Sequence, residues 1–287
     1  MLLSSSECIT WFAVFLTVCV AIVTVNLISI IIFIKNRSLR TRAMYLVINL
    51  TVADMLVGGF SHFFLFQQFP LFSCVIVKVN LSQEMKGIIL FLTIWFPLTS
   101  LTNIAVISLD RMHATIRPFR HRLIKKWIYW VTIAGVWVLT AMLAADQLIT
   151  KWFKHVLISY CCLCLFVICV SYSSIVVKFL CGAHPQHHGA ANRQKKLTVT
   201  LFIMTIVSLL MWLPYAVNFF LQSSIKKFLS RRESKRLEFS LIILLFVYSL
   251  VNPIVYTIRI PEFRKALLLL FKRQRRQNAR DIPLHAL

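Results

Sequence analysis

Seven stretches of the chain are each long and apolar enough to cross a lipid bilayer as a helix. They lie at about residues 9–34, 43–67, 85–113, 127–146, 156–180, 193–221 and 237–258. A hydrocarbon core of about 30 Å takes about 20 helical residues. Backbone groups in lipid must be satisfied internally, so runs of this length and continuity leave the helix as the available form. The expected fold is all-α: one domain over residues 1–287, built as a seven-transmembrane helix bundle. The stretches are called spans one to seven below. With 59% hydrophobic and only 14% charged residues, the chain is too apolar for a soluble domain. A short amphipathic segment at about 261–271 places Phe263, Ala266, Leu267 and Leu270 on one side. It reads as a helix lying on the membrane surface. Span one has no basic leader and no small-residue cleavage site, so it reads as a spanning helix and not as a removed signal.

Lysine and arginine set the orientation. Basic clusters at 35–42, 111–126, 178–196 and 259–280 fall on one side, and this predicts an outside N-terminus and an inside C-terminus. One segment breaks the pattern: Lys226, Lys227, Arg231, Arg232, Lys235 and Arg236 fall outside, between spans six and seven. They read either as a solvated loop or as a site for an anionic ligand or acidic peptide. The net charge of +23 mostly reflects this topology and anionic lipid headgroups, not nucleic-acid binding. Asn80-Leu81-Ser82 is a candidate glycosylation site in an outside loop. Cys8 and Cys74, both outside, form a candidate disulfide; the cysteines within the spans read as small packing residues.

Polar groups inside apolar spans are functional candidates, because a charge at mid-bilayer costs about 2.5–3.5 kcal/mol on insertion scales. Asp54 is the one acidic residue deep in a span, with Asn26, Ser100, Asn103, Ser249 and Asn252 of similar depth. It can be satisfied by a cation, by these groups and water, or by protonation as a neutral packing residue. Span seven carries Asn252-Pro253-Ile254-Val255-Tyr256. The proline removes a helix hydrogen bond, and Asn252 and Tyr256 share a face. This reads as a hinge with a polar inner side, or as a packing kink. Asp110-Arg111 ends span three.

Together these motifs resemble a rhodopsin-like (class A) G-protein-coupled receptor over essentially the whole length. The residues that carry the resemblance are Asn26, Leu50-Thr51-Val52-Ala53-Asp54, Asp110-Arg111-Met112, Trp137, Tyr172, Trp212-Leu213-Pro214-Tyr215, Asn252 to Tyr256 and Phe263-Arg264. The resemblance implies a multi-pass plasma-membrane receptor, not an enzyme. It would couple an extracellular small-molecule, lipid or peptide ligand to a heterotrimeric G protein, with arrestin as a further partner. Arg111 would be held by Asp110 at rest, and Pro118-Phe119 would meet the G protein. Asp54, Ser100, Ser249 and Asn252 would hold a sodium ion, and no other cofactor is implied. Trp212 would lie beneath the ligand, Pro214 and Pro253 would act as hinges, and Tyr172 and Tyr256 would hold the open state. The implied ligand pocket is lined by Thr93, Ile94, Pro97, Trp212, Tyr215, Phe219, Ile243 and Phe246, an apolar and aromatic set. The same residues also read as bundle packing.

The chain departs from the family pattern. The usual disulfide cysteine of span three is Lys86, the span-five proline is Cys164, and Met112 replaces a tyrosine. The missing cysteine, the missing span-five proline and the short loop at 146–155 together resemble the melanocortin-receptor branch and its cannabinoid- and lysophospholipid-binding relatives. The acidic residues that melanocortin receptors use are not matched, however, since those positions are Phe64, Lys86 and Leu90. Thr93 stands where amine receptors carry an aspartate, and Phe246 where opsins carry the retinal lysine. Two other readings stay open: a decayed, non-signalling receptor, and a transporter or channel. Paired repeats with matching broken helices, the transporter signature, are not visible.

Overall fold

The computed structural model describes residues 4–36, 39, 44–68, 82–146, 153–181, 228–259 and 261–280, with scattered positions between 199 and 221. Among the described residues every regular element is a helix. Span one is Ser5–Lys35, span two Met44–Gln68, span three Gln83–Ile116, span four Lys126–Ala145, span five Phe153–Cys181 and span seven Arg231–Arg259. A short helix, Pro118–Arg122, follows span three, and the surface helix is Pro261–Arg280. Five of these helices are long and apolar enough to span a membrane, and Met44–Phe60 is a shorter apolar segment. Most of span six lies outside the described residues.

Two helices differ from expectation. The surface helix runs beyond residue 271, through a Lys-, Arg- and Gln-rich stretch of good helix formers. Span seven begins at Arg231 instead of about 237, so Arg231, Arg232, Lys235 and Arg236 lie in its first turns and not in a loop. Its start is a capping box. The Glu233 amide donates to Ser230 Oγ at 3.3 Å, and the Ser230 amide donates to Glu233 Oε2 at 3.0 Å. Span one opens the same way on Ser4 and Glu7. Each box satisfies two amide donors that a helix start otherwise leaves open.

Span three runs through the middle of the bundle, against spans two, four and five; span seven packs on spans one and two, and the surface helix on span seven. Gly58 lets spans one and two close up: a Cβ there would sit 2.7 Å from Ile22 Cγ2. Small residues at such contacts allow the close approach that drives helix packing in lipid. Two apolar clusters result. The outer one joins Phe15, Ile22, Val57, Phe96 and Phe246. The inner one joins Phe33, Leu50, Leu101, Tyr172, Tyr256 and Phe263. A belt of buried polar residues, Asn26, Asp54, Ser100, Asn103, Ser249 and Asn252, lies in the same helices.

Candidate functional site

The belt is organised on Asp54, which is fully buried. Ser100 of span three donates to its Oδ1 at 2.6 Å, and Ser249 of span seven to the same oxygen at 3.1 Å. Asn252 Nδ2 donates to Oδ2 at 2.5 Å. Spans two, three and seven thus meet at one carboxylate. Asn26 joins from span one by donating to the Ser249 carbonyl at 3.1 Å, and to Ile22 of its own helix. Asn103 belongs elsewhere: it donates to the Thr99 carbonyl and accepts from Asn49 at 2.7 Å. Asn49 in turn accepts from Trp137 Nε1 at 2.9 Å, which fixes span four to spans two and three. Asn252 Oδ1 is buried without a hydrogen-bond partner. A carboxylate, two hydroxyls and this free amide oxygen make an all-oxygen donor set suited to a hard cation.

Trp212 and Tyr248 pack ring to ring at 5.6 Å, joining span six to span seven. Tyr248 is fully buried, and its electrostatic neighbours are Asp54, Ser100 and Ser249. It was not singled out in the sequence. Its position one residue before Ser249 in span seven is the signal that was available. Pro214 is half-buried, while Tyr215 and Phe219 lie outside the described residues, as do Asn80 and Cys74. Cys8 is buried.

Of the other implied pocket residues, Phe246 and Ile243 share one apolar cluster with Phe96. Phe246 turns to span one and meets Phe15 edge-on at 5.5 Å. The Thr93 hydroxyl is taken by the Ile89 carbonyl at 2.7 Å. Pro97 is buried, and Ile94 and Ile243 are half-buried.

At the inner end Arg111 is 3% exposed and ion-paired with Asp110. The aspartate also takes His121 Nε2 at 2.9 Å and the Tyr129 hydroxyl at 3.0 Å. Span four and the short helix therefore share the acid that faces Arg111. Neither additional partner was visible in the sequence, because the span-three helix ends at Ile116 and both lie on later helices. Pro118 opens the short helix, and Phe119 beside it is 81% exposed. Tyr172 is buried against Phe202 of span six, with rings 5.0 Å apart. Tyr256 packs between Phe33 and Phe263, at 5.7 and 5.9 Å. Pro253 is buried within span seven.

Glu7, in the first helical turn ahead of the apolar run that starts at Ile9, holds two arginines at the start of the span-seven helix. Arg232 reaches its Oε2 at 2.8 Å, and Arg236 bonds Oε1. These guanidiniums, Arg232 foremost, hold the Glu7 carboxyl well below the usual range, at about 2. Lys235 pairs with Glu238 at 2.8 Å. Three of the outer basic residues therefore have acidic partners within the protein.

Comparison with known proteins agrees with this architecture. The family model "7 transmembrane receptor (rhodopsin family)" matches residues 25–163 and 148–256. The substance-K receptor of Mesocricetus auratus is 27% identical over 298 residues, covering 91% of this chain and 75% of that one. The substance-K receptor of Homo sapiens is also 27% identical, covering 91% and 72%. A crystal structure of squid rhodopsin superposes with a TM-score of 0.80 at 18% identity, over 94% of this chain and 87% of that one, a likeness of fold. These relatives lend no support to the melanocortin- and cannabinoid-like placement that Lys86 and Cys164 suggested.

Proposed function

The chain belongs to the rhodopsin family of seven-transmembrane receptors, and on that premise we propose that it carries the binding of an extracellular ligand to a heterotrimeric G protein by outward movement of span six. It is a multi-pass membrane protein and not an enzyme. The orientation set by its basic clusters puts Arg111 and Phe119 in the cytoplasm, where the G protein and arrestin would bind.

The observation that carries the reading is the double hold on Asp110, the acid that faces Arg111 at the end of span three. Arg111 is buried against Asp110, itself held by Tyr129 and His121, and on span five Tyr172 packs on Phe202 of span six. This is a resting arrangement with a second arrangement built in. If span six leaves, Tyr172 loses its ring partner and Arg111 would be released from Asp110 toward the G protein. A ligand acts by preferring one of the two states, and needs about 5.5 kcal/mol of preference to carry a 1:99 balance to 99:1.

Asp54, Ser100, Ser249 and Asn252 would hold a sodium ion, whose charge would balance the buried carboxylate. The protein's own part there is to tie spans two, three and seven at one point, so that a shift of any of them is felt by the others.

The relatives named for substance K favour a ligand of that kind over a protonated amine, for which Thr93 offers no counter-ion. The pairing of Arg232, Arg236 and Lys235 with internal acids removes much of the case for an anionic ligand at the outer end.

The test is ligand-free nucleotide exchange on a panel of G proteins, with wild type and Arg111→Ala at matched surface expression. A basal signal that the mutant lacks supports coupling. Equal signals in both would contradict the role given to Arg111.

A further inference from the structure

Span five carries a stripe at helical spacing, Phe166, Val170, Ser173, Ser174 and onward to Lys178, that no helix among the described residues covers. With Ile116 at the end of span three it lines a cavity of about 630 Å³. Phe166 is 65% and Val170 45% exposed, and Ser173 and Lys178 are exposed as well. In a bilayer this surface meets acyl chains at one end and headgroups at the other. Twelve residues separate Phe166 from Lys178, about 18 Å of helix. One leaflet of a hydrocarbon core is about 15 Å deep. The groove is thus the length of a single leaflet, apolar toward the bilayer centre and polar where the headgroups begin.

The geometry points to a binding site for one anionic phospholipid of the cytoplasmic leaflet, its acyl chain against Phe166 and Val170 and its phosphate at Lys178 and Ser173. Charge selects the headgroup. Among the described residues Lys178 has no acidic partner, in contrast to Lys235, which pairs with Glu238. Ser174 spends its proton on the Val170 carbonyl at 2.8 Å and does not compete for the lipid. The cytoplasmic leaflet is the anionic one, and an exposed lysine near it contributes about 1 kcal/mol of attraction. The occupied groove would brace the inner ends of spans three and five, the helices that carry Arg111 and Tyr172. The inference rests on the topology proposed above, since an inverted chain would present Lys178 to the outer leaflet.

The full chain in detergent, titrated with phosphatidylserine or phosphatidylcholine and read by native mass spectrometry, tests it. Wild type is expected to take one phosphatidylserine in preference to phosphatidylcholine. Lys178→Gln should weaken that binding about fivefold. Val170→Trp, which fills the groove, should weaken it as well, and Lys35→Gln, at the inner end of span one, should leave it unchanged. Equal binding of both lipids, wild-type binding by Lys178→Gln or Val170→Trp, or an equal loss in Lys35→Gln would each overturn the proposal. Lys178→Gln alters an exposed side chain, so its folding does not limit the test. A tag after Leu287, stained in intact and in permeabilised cells, checks the topology separately from the lipid.

Discussion

Asn252 Nδ2 lies 2.5 Å from Asp54 Oδ2, so the residue before the span-seven proline is bonded directly to the acid of span two. Any turn of span seven about Pro253 must stretch that bond or carry span two with it. Removing the carboxylate would leave Ser100, Ser249 and Asn252 as three buried donors without their acceptor, each costing about 1 kcal/mol or more. Asp54→Ala should therefore destabilise the receptor by about 3 kcal/mol, and Ser249→Ala by about 1. Asp54→Asn keeps the shape and removes the charge. Thermal unfolding in sodium chloride against choline chloride should show a sodium-dependent midpoint in wild type and none in Asp54→Asn. A midpoint that still responds to sodium in Asp54→Asn would exclude the cation site.

The inner lock gives a second expectation. Tyr129 donates to the same Asp110 oxygen that His121 contacts. Tyr129→Phe removes one bond to a charged group and keeps the ring. Such bonds contribute about 1.5–3 kcal/mol, so the resting state should lose about tenfold or more in population relative to the active one. Basal nucleotide exchange should rise in Tyr129→Phe and fall to background when Arg111→Ala is added. Unchanged basal exchange in Tyr129→Phe would show that span four has no part in the lock.

How much of this was legible beforehand follows from what periodicity can carry. The seven apolar runs and the partners of Asp54 were readable, because length reports a span and a lone acid in a span demands polar neighbours. Depth in the spans alone did not partition those neighbours; the family resemblance, which grouped Ser100, Ser249 and Asn252 with Asp54, did. Asn103 and Ser100 lie three apart in span three, yet one bonds Asn49 and the other Asp54, a choice made by helix rotation. Tyr129 and His121 reach Asp110 through tertiary folding alone. The start of span seven was a different kind of miss. Ser230-Arg231-Arg232-Glu233 is a capping-box pattern that marks this start in the sequence itself. The same holds for Ser4 to Glu7. Phe246 was expected in a ligand pocket or in bundle packing, and its ring contact with Phe15 was not visible in the sequence.

Phe119 is 81% exposed on the short helix after Pro118. An apolar ring held in water on a proline-started turn has little to stabilise within the receptor. Phe119→Ala should shift the unfolding free energy by less than about 0.5 kcal/mol. Its effect should appear in coupling, because truncating a buried aromatic at an interface commonly costs about 2 kcal/mol or more. Agonist-independent exchange measured across G-protein concentration should need about tenfold or more G protein for half-maximal rate. An unaltered concentration dependence would count against insertion of this ring into the partner.

Glu7 closes the outer end by holding Arg232 and Arg236, and its titration offers a test without a ligand. Its carboxyl is lowered from an ordinary value of 4.5 to about 2. A carboxyl lowered on folding stabilises the folded state fully above its unfolded value, and that contribution fades as pH falls through the folded one. The tether should therefore be constant from neutral pH down to about 5, and should weaken progressively below about 4. Glu7→Gln removes the charge and should lower the unfolding midpoint at pH 7, and more so at low ionic strength, since exposed pairs are screened by salt. The gap between wild type and Glu7→Gln should narrow as the pH is lowered to about 2 and close below it, where Glu7 becomes neutral like the glutamine opposite the same arginines. A charge reversal, Glu7→Arg with Arg232→Glu and Arg236→Glu, should recover part of the midpoint that Glu7→Arg alone loses. A gap that does not change with pH, or a reversal without recovery, would mean that the capping box and not the ion pair is what Glu7 contributes to the join between spans one and seven.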